Sequence, residues 1–488
     1  RLLFDLVRND SKGVYYAQAP EHTAGLTERI RDLAARRLEK HFGRETVQRI
    51  IVGRYAGEAD KSLRIRIVPL PSIGSVHADR RIRRVLIEVP PACPIQSGDI
   101  AWAFNGLDLG CDVQTGEVLD DAGPLLVPSD SREMLSHYGI EDSVGELSRI
   151  WRSVTPIALP FSRMRGQISG NRRLANGMAL THDVRQALRH AGLDSTAEVS
   201  RIQREPFDVN GTRAEVFSYG KRFSSRRLYH VEITFEEPIA GPVVIGDGRY
   251  LGLGLLAPLQ GGDPDAVVIP LKHESRPLVE ERRLFLHAVR RALMARARDI
   301  TGAPGRFFSG HEPDGTPARS GGHNHVFLAA DDVDDDGRID LLLVIAPWRA
   351  DRSRRAKGSE RSDFYRVATS LQTVRAGRQG VIEFETSGEA SPDDRVFRSS
   401  KNWISKTPYV PTRYPKRGDE IIGVSNDLML ECARRGLPRP KVEITYVKNG
   451  RNGGITVNAN LQFEVTVRGP LLLGRDCHEG GGLFVPVD

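Results

Sequence analysis

Three histidines lie close together in one glycine-rich segment, and imidazole is the side chain best suited to proton transfer near neutral pH. The segment runs from Ser309 to Phe327, and its histidines are His311, His323 and His325. His323 and His325 are two residues apart, so their side chains would share one face of a strand. Glycines in the preceding loop would let it fold His311 over that pair. The pattern predicts a general acid–base centre at these three histidines.

Two other interpretations of the histidines stay open. Histidines in a loop of glycine, proline and aspartate are often solvated turn residues, and a His-x-His pair with a third ligand suits zinc. The segment has no HExxH motif and no nearby cysteine, so catalysis is favoured and neither a metal site nor a cofactor is predicted. The acidic run that follows is read as a turn, because position 12 of a calcium loop counted from Asp332 is Leu343 instead of glutamate. Weak calcium binding there stays open.

The chain also repeats itself. GPVVIGDGRYLGLGLL from Gly241 is matched by GPLLLGRDCHEGGGLF from Gly469, and WRSVTP from Trp151 is matched by WISKTP from Trp403. Further matches follow the same order in both halves, which chance similarity would scramble. The sequence therefore predicts a diverged tandem duplication.

The repeat allows the two copies to be compared at the histidine positions. In the first copy the three corresponding residues are arginines: Arg54, Arg64 and Arg66. Arginine cannot shuttle protons, but it holds phosphate better than any other side chain. The first copy is therefore predicted to bind, and the second to carry out the reaction.

Each copy ends in a glycine-rich segment, where a backbone can approach a phosphate closely. The residues predicted to contact a phosphate-bearing ligand are Gly252 and Gly254 in the first copy, and Gly474, Arg475, His478, Gly480, Gly481 and Gly482 in the second. His478 corresponds to Tyr250, so stacking on a base is favoured for its ring over proton transfer. Neither segment matches the P-loop pattern, so nucleotide hydrolysis is not indicated.

The elements that position these residues follow a βαββ order in each copy. Strand-like runs begin at Leu2 and Ala266, and each is followed by a helix with apolar spacing and an arginine-rich outer face. The pattern predicts the α+β class, with ferredoxin-like (RRM-like) units in two pairs. The predicted boundaries are 1–259 for the first copy, 260–265 for a linker and 266–488 for the second copy.

Length and composition agree with a multidomain, nucleic-acid-binding protein. The chain has 488 residues and a net charge of +7, which favours a polyanionic partner. Its four cysteines form no CxxC pair, and its apolar runs are too short to cross a bilayer, so a reducing cytoplasm is expected and a membrane location is not. Because Arg1 is preceded by no methionine and followed by no recognisable leader, we expect an incomplete N-terminus.

Taken together, these motifs resemble the CRISPR-associated fused subunit of type I-G (formerly I-U) systems, of the Csb family. The resemblance spans essentially the whole chain and rests on SGHEPDGTP, HNH, DDDGRID, PLPSIGSVHADRRIRRVLIEVP and the two glycine-rich segments. It implies membership of the repeat-associated RNA-binding (RAMP) superfamily, whose paired ferredoxin-like domains meet RNA at a C-terminal glycine-rich loop. The further N-terminal domain of that family, with its WPPSPWRLL-like segment, is not found in this sequence.

The resemblance also implies an activity. Such subunits join an effector-complex backbone protein to an endoribonuclease that processes CRISPR precursor RNA without a metal and keeps its product. The 2′-hydroxyl attacks the neighbouring phosphate, and a histidine after the first helix, where His311 falls, acts as base or acid. Arg319 is assigned to RNA binding, and the candidates for stabilising the transition-state charge are His323, His325, Arg319 and Lys272. The implied partners are the repeat-derived part of CRISPR RNA, the other effector subunits and, through them, target DNA. A non-catalytic RNA-binding subunit is the alternative.

Overall fold

The computed structural model describes residues 1–10, 13–57, 59–75, 78–113, 115, 117–120, 123–140, 147–160, 170–208, 210–221, 223–259, 263–302, 306–309, 325–354, 356, 358–391, 394–413, 420–449 and 454–487. Contacts divide the chain into two compact units. Unit 1 is Arg1–Ser195, Ile202–Ile233 and Glu237–Pro258, and unit 2 is Thr196–Arg201, Thr234–Glu236 and Leu259–Asp488. Among the described helices, none combines the length and the apolar character needed to span a bilayer.

Residues 1–258 supply the first set of strands and helices. The strands are β1 (Leu2–Arg8), β2 (Arg66–Pro71), β3 (Ile82–Glu88), β4 (Leu107–Asp108), β5 (Pro124–Pro128), β6 (Ser148–Ser153), β7 (Ile157–Ala158), β8 (Glu198–Gln203), β9 (Leu228–Ile239), β10 (Val243–Val244) and β11 (Leu255–Pro258). The helices are α1 (Thr23–Leu38), α2 (Arg44–Val47), α3 (Ser97–Phe104) and α4 (Gly170–His190).

The strands of this part form two sheets. The first has the order β2-β3-β1-β5-β4, and its neighbouring strands are antiparallel. Its four longest strands follow β1-α1-β2-β3-α3-β5 along the chain, which is the connectivity of a ferredoxin-like unit. The second sheet has the order β10-β11-β6-β9-β7, and β8 also pairs with β9. A glycine-rich turn lies between β9 and β11, at the point in the chain order where the first sheet has α3.

Residues 259–488 supply the second set. The strands are β12 (Asp263–Pro270), β13 (Phe327–Asp331), β14 (Leu341–Ile345), β15 (Thr373–Arg375), β16 (Val381–Glu383), β17 (Gly388–Ala390), β18 (Ser399–Ser405), β19 (Lys441–Asn449), β20 (Ile455–Arg468), β21 (Leu471–Leu472) and β22 (Leu483–Pro486). The helices are α5 (Arg282–Thr301), α6 (Arg306–Ser309), α7 (Pro347–Ala350), α8 (Gly358–Ala368) and α9 (Glu420–Arg434).

These strands form two larger sheets and a small hairpin of β15 and β16. The third sheet has the order β13-β14-β12-β17, and the fourth has the order β19-β20-β18-β22-β21. When the four strands of the third sheet are numbered 1 to 4 along the chain, their spatial order is 2-3-1-4. The fourth sheet without β21 has the same order, and so do β1, β2, β3 and β5 of the first sheet and β6, β8, β9 and β11 of the second. The predicted α+β class is therefore confirmed.

Each core follows from the periodicity of its elements. In α1 the apolar residues at helical spacing, Leu26, Ile30, Leu33 and Ala34, are buried against one face of the first sheet. The other face of that sheet packs on the second sheet of the same unit. In unit 2, α5 covers one face of the third sheet, and strands of the fourth sheet cover the other. Each unit is thus built around two apolar layers.

The predicted linker 260–265 differs from the structure at its end. β12 begins at Asp263, so residues 263–265 belong to a strand. The Asp265 carboxylate is buried and lies 3.6 Å from the Arg201 guanidinium and 3.8 Å from that of Arg361. These ion pairs offset the cost of burying the charge, and they explain why the strand includes a residue that sequence pattern assigns to a loop.

The two halves share local detail as well as strand order. Trp151 donates through its indole N–H to the Ser148 carbonyl at 2.9 Å, and Trp403 donates in the same way to the Ser400 carbonyl at 3.0 Å. Both tryptophans are fully buried on the first long strand of their sheets. The duplication itself stays a prediction.

Candidate active site

The glycine-rich turn of unit 2 connects β21 to β22 and is fixed by hydrogen bonds within the protein. The Thr407 hydroxyl donates to the Gly480 carbonyl at 3.0 Å and accepts from the Leu483 N–H at 2.8 Å. The N–H groups of Gly481 and Gly482 donate to the carbonyls of Asp476 and Pro408. The turn is therefore a rigid platform, and these two N–H groups already have acceptors.

Glycine is required in this turn for reasons internal to the protein. Gly480 and Gly482 have φ values of +87° and +59°. A Cβ on Gly482 would lie 1.7 Å from the Leu473 carbonyl oxygen, and one on Gly480 would lie 2.4 Å from Cδ1 of Leu286 in α5. A tight turn packed on α5 therefore accounts for these glycines by itself. RNA contact at the turn stays a prediction.

The turn places His478 beside His325, and both belong to unit 2. His478 is 9% exposed, and its ring centroid lies 3.9 Å from that of Phe327 and 5.4 Å from that of His325. His325 is half-buried and lies two residues before β13. One face of the His478 ring is occupied by Phe327. This leaves little ring surface for the predicted stacking on a nucleobase, and the role of His478 stays a prediction.

Hydrogen bonds give the two imidazoles complementary tautomers. The Arg290 guanidinium lies 2.8 Å from Nδ1 of His325, and because arginine only donates, this nitrogen is the acceptor and the neutral ring carries its proton on Nε2. Nδ1 of His478 lies 3.4 Å from the Val326 carbonyl oxygen. A carbonyl only accepts, so His478 is protonated on Nδ1 and its Nε2 is an acceptor.

Helix α5 lines this site with basic residues. Arg283, His287 and Arg290 follow the i, i+4, i+7 spacing of one helix face. The Glu479 carboxylate of the turn lies 3.4 Å from the Arg283 guanidinium and 3.5 Å from Nε2 of His287. Farther along the helix, Arg291 is exposed. A phosphate bound at the two histidines would therefore lie beside several positive groups.

The arginines of α1, in unit 1, bind backbone carbonyl groups of the protein itself. Arg36 donates to the Val113 and Thr115 carbonyls at 3.1 and 2.9 Å, and Arg37 donates to those of Asn105 and Gly106 at 2.8 and 2.7 Å. Arg29 likewise donates to the Cys111 carbonyl at 2.6 Å. These guanidiniums hold the chain that follows α3. The arginine-rich outer faces predicted for both helices are therefore not equivalent.

The predicted binding arginines of unit 1 lie in three different settings. The Arg64 guanidinium stacks 3.9 Å from the ring centroid of Tyr250, and burial lowers the pKa of Arg64. Arg66 pairs with Glu88 across β2 and β3 at 2.8 Å, whereas Arg54 is exposed. Arg64 precedes β2 by two residues, just as His325 precedes β13. The structure thus pairs Arg64 with His325, and not with His323 as the sequence offset predicts, because the loops differ in length.

Other predicted site residues fall outside this cluster. His311, His323 and Arg319 lie outside the described residues. Gly474 and the first-half glycines Gly252 and Gly254 are buried, and the exposed Arg475 donates its backbone N–H to the Val410 carbonyl at 2.9 Å.

The acidic run closes a turn with its own carboxylates. Oxygens of Asp332, Asp334 and Asp340 lie within 4.8 Å of one another. Asp332 accepts from the N–H groups of Asp336 and Gly337 at 3.1 and 3.0 Å, and Asp340 accepts from the Val333 N–H at 2.6 Å. The acidic-turn interpretation accounts for these contacts.

Sequence analysis missed Arg290, His287 and Glu479. The basic spacing of Arg283, His287 and Arg290 is visible in the sequence and marks one face of α5. Their proximity to the glycine-rich turn is a tertiary contact, which no local pattern indicates.

Two comparisons with known proteins found a similarity. Residues 138–258 match the family model described as CRISPR-associated protein, GSU0054 family. This stretch contains the second sheet and the glycine-rich turn of unit 1. Among solved structures, one similar chain is described as Csf5, a CRISPR-Cas type IV Cas6 crRNA endonuclease, with 13% sequence identity and a TM-score of 0.22 over 46% of this chain and 98% of that chain. No curated protein matches.

Proposed function

We propose that this protein is a metal-independent endoribonuclease that processes CRISPR precursor RNA and stays in a type I effector complex as an RNA-binding subunit. The observation that carries the proposal is the pair of imidazoles, His325 and His478, whose ring centroids lie 5.4 Å apart beside a basic helix face. The match of residues 138–258 to a CRISPR-associated family model supports the choice of RNA. The type I-G subtype and the fused subunit architecture belong to the proposal.

The proposed reaction uses one histidine on each side of the scissile phosphate. Nε2 of His478 accepts the proton of the 2′-hydroxyl, whose oxygen forms a new bond to phosphorus. The bond from phosphorus to the 5′-oxygen breaks, and the imidazolium form of His325, with Arg290 released from Nδ1 to the phosphate, protonates this leaving oxygen from Nε2–H and becomes neutral. The products are a 2′,3′-cyclic phosphate and a 5′-hydroxyl. His311 and His323 stay candidates for either role.

Charge that develops on the phosphoryl oxygens needs fixed positive groups. The Arg290 guanidinium lies 2.8 Å from Nδ1 of His325, and Arg283 lies on the same face of α5, beside Glu479. Arginine presents several N–H donors in a planar fork that suits phosphate oxygens. We assign these two arginines to phosphate stabilisation, and Arg319 and Lys272 stay further candidates.

We assign the first half, 1–259, to RNA binding without catalysis, and the second half, 266–488, to cleavage. The shared strand order and the matching Trp151 and Trp403 hydrogen bonds support a common origin of the halves. In unit 1 the position of His478 holds Tyr250, stacked on Arg64, and this pair includes no imidazole. Arg54, Arg64 and Arg66 are its proposed RNA contacts.

Cleavage of a CRISPR repeat RNA in EDTA tests the activity. The wild-type protein should cut the RNA, and a 2′-deoxy substitution at the scissile nucleotide should abolish cutting because the nucleophile is gone. Activity restored only by added metal would point to a metal-dependent nuclease. Tight binding without any cutting would point to the alternative, a non-catalytic subunit.

Substitutions then assign the histidines. His325→Gln keeps an acceptor for Arg290 and should lower the cleavage rate by about 100-fold or more, the usual contribution of one acid–base group. His311→Ala and His323→Ala report on the residues outside the described part of the chain. Wild-type rates in all of these variants would refute the catalytic assignment.

A further inference from the structure

The outer face of the fourth sheet carries side chains that the proposed cleavage site does not use. One face of this sheet packs on α9 through Val442, Ile444 and the buried residues of β20. On the opposite face, Leu483 and Val485 meet the third sheet at the β22 end. Toward β19, none of the described residues covers this face, and Tyr446 and Lys448 are exposed. It is a polar sheet surface at the edge of unit 2.

A β-bulge turns an aromatic residue onto this open face. Ile444 is opposite Ala459 and Tyr446 is opposite Asn458, so Thr445 is an extra residue in β19. Without it, the alternation that points Val442 and Ile444 toward α9 would also bury Tyr446. With it, Tyr446 points outward and is 58% exposed. Bulges frequently re-aim side chains in this way at functional sites, although they also protect edge strands from pairing.

The neighbouring strand presents a row of amides to the same side. Asn458, Asn460 and Gln462 alternate with the buried residues of β20 and therefore point outward together. Asparagine is disfavoured in strands, and β20 lies inside the sheet between β19 and β18. Asn460 donates to the Glu443 carboxylate at 3.0 Å, which fixes its amide. A row of amides in an interior strand contradicts local propensity, as functional sites often do.

We infer that this open face, defined by Tyr446, Asn458, Asn460, Gln462, Ile404 and Lys448, binds single-stranded RNA through its bases. An exposed aromatic ring stacks on nucleobases, and amides both donate to and accept from base edges. Lys448 adds a positive charge near the C-terminal end of β19. An exposed aromatic ring beside a row of amides favours RNA bases over a protein partner. The inference rests on the proposed function, because it assigns a second contact for the same RNA.

Direct RNA binding tests the inference. We would measure the affinity of the full chain for unstructured oligoadenylate RNA and for a matched abasic ribose-phosphate chain. Tyr446→Ala should weaken binding of the oligoadenylate by about 10-fold, the range found for loss of one base–aromatic stack, and should leave binding of the abasic chain unchanged. Tyr446 is exposed, so the variant should fold, and a thermal melt checks this.

Matched variants separate stacking from other contacts. Tyr446→Phe keeps the ring and should bind like the wild type, whereas Tyr446→Leu keeps apolar area without an aromatic face and should bind like Tyr446→Ala. Val381→Ala removes an equally exposed apolar side chain from β16 and should change nothing. Wild-type affinity in Tyr446→Ala, or wild-type affinity in Tyr446→Leu, would overturn the inference.

The cleavage assay distinguishes this inference from the proposed function. The RNA concentration for half-maximal cleavage should rise in Tyr446→Ala in line with its loss of affinity, whereas Val381→Ala should cut like the wild type at every RNA concentration. If the wild-type protein binds and cuts RNA while Tyr446→Ala behaves identically in every assay, only the inference about the sheet face fails. If the wild-type protein binds no RNA at all, the proposed function fails with it.

Discussion

Replacing His478 with phenylalanine separates the two roles that its position allows. Phenylalanine keeps an aromatic ring against Phe327, where the centroid distance is 3.9 Å, but it can neither accept nor donate a proton. The lost hydrogen bond to the Val326 carbonyl is long, at 3.4 Å, so its loss should cost at most about 1 kcal/mol of folding free energy. The loss of a general base should lower the rate by about 10²- to 10⁴-fold, or roughly 3 to 5 kcal/mol in activation free energy. The catalytic effect should therefore far exceed the structural one.

The assay is single-turnover cleavage of repeat RNA in EDTA, with RNA affinity and thermal unfolding measured in parallel. His478→Phe should bind RNA with near wild-type affinity, unfold within about 4 °C of the wild type and lose one limb of the pH–rate profile. Tyr250→Phe is the matched control in unit 1, since it removes a hydroxyl that donates to the Lys61 carbonyl at 3.0 Å, and it should cut normally. A wild-type rate in His478→Phe would refute proton transfer at this residue and restore the stacking interpretation.

Three further predictions concern stability and charge. Gly482→Ala should lower the unfolding temperature by several degrees, because its Cβ would overlap the Leu473 carbonyl oxygen; an unchanged melting curve would contradict this. Arg291→Ala on α5 should make the slope of log RNA affinity against log salt concentration shallower by about 0.7. Arg36→Ala on α1 should leave that slope unchanged and should destabilise unit 1. Equal slopes for the two variants would argue against the distinction between the helices. Burial raises the pKa of the Asp331 carboxyl above 3.8, so the folded state binds its proton more tightly than the unfolded state, and this group lowers stability as pH rises above 3.8. Asp331→Asn should therefore raise the unfolding temperature at neutral pH by a few degrees, with a gain that shrinks toward pH 4, and a pH-independent difference would rule out this explanation.

Sequence pattern predicted the parts of this fold that depend on local periodicity. The buried faces of α1 and α5 and the order of strands and helices follow from apolar spacing, which burial enforces residue by residue. His325 could be named as a candidate because histidine clusters are visible in a sequence. The sequence offset matches Arg64 with His323, whereas position before the strand matches it with His325. This difference was not predictable, because the loops before the two strands differ in length.

The remaining features depend on contacts between residues far apart in the chain. Arg36 looks like a surface arginine until the 103–115 segment folds against α1 and offers it carbonyl oxygens. Arg290 becomes part of the site only because His325 lies beside it. The outward direction of Tyr446 depends on one extra residue in β19, and a simple alternation of inward and outward positions places it on the wrong face. Contacts with residues far away in the chain determine these roles, and local sequence propensity does not predict such contacts.

The carbonyl contacts of the α1 arginines have a practical consequence for purification. Their acceptors are neutral oxygens held at short range, so dissolved ions should weaken them far less than they weaken attraction between exposed guanidiniums and phosphates. Washing with concentrated salt should therefore release bound nucleic acid while the segment after α3 stays attached to its helix. A preparation stripped of RNA in this way should regain full binding capacity on simple dilution, without a refolding step.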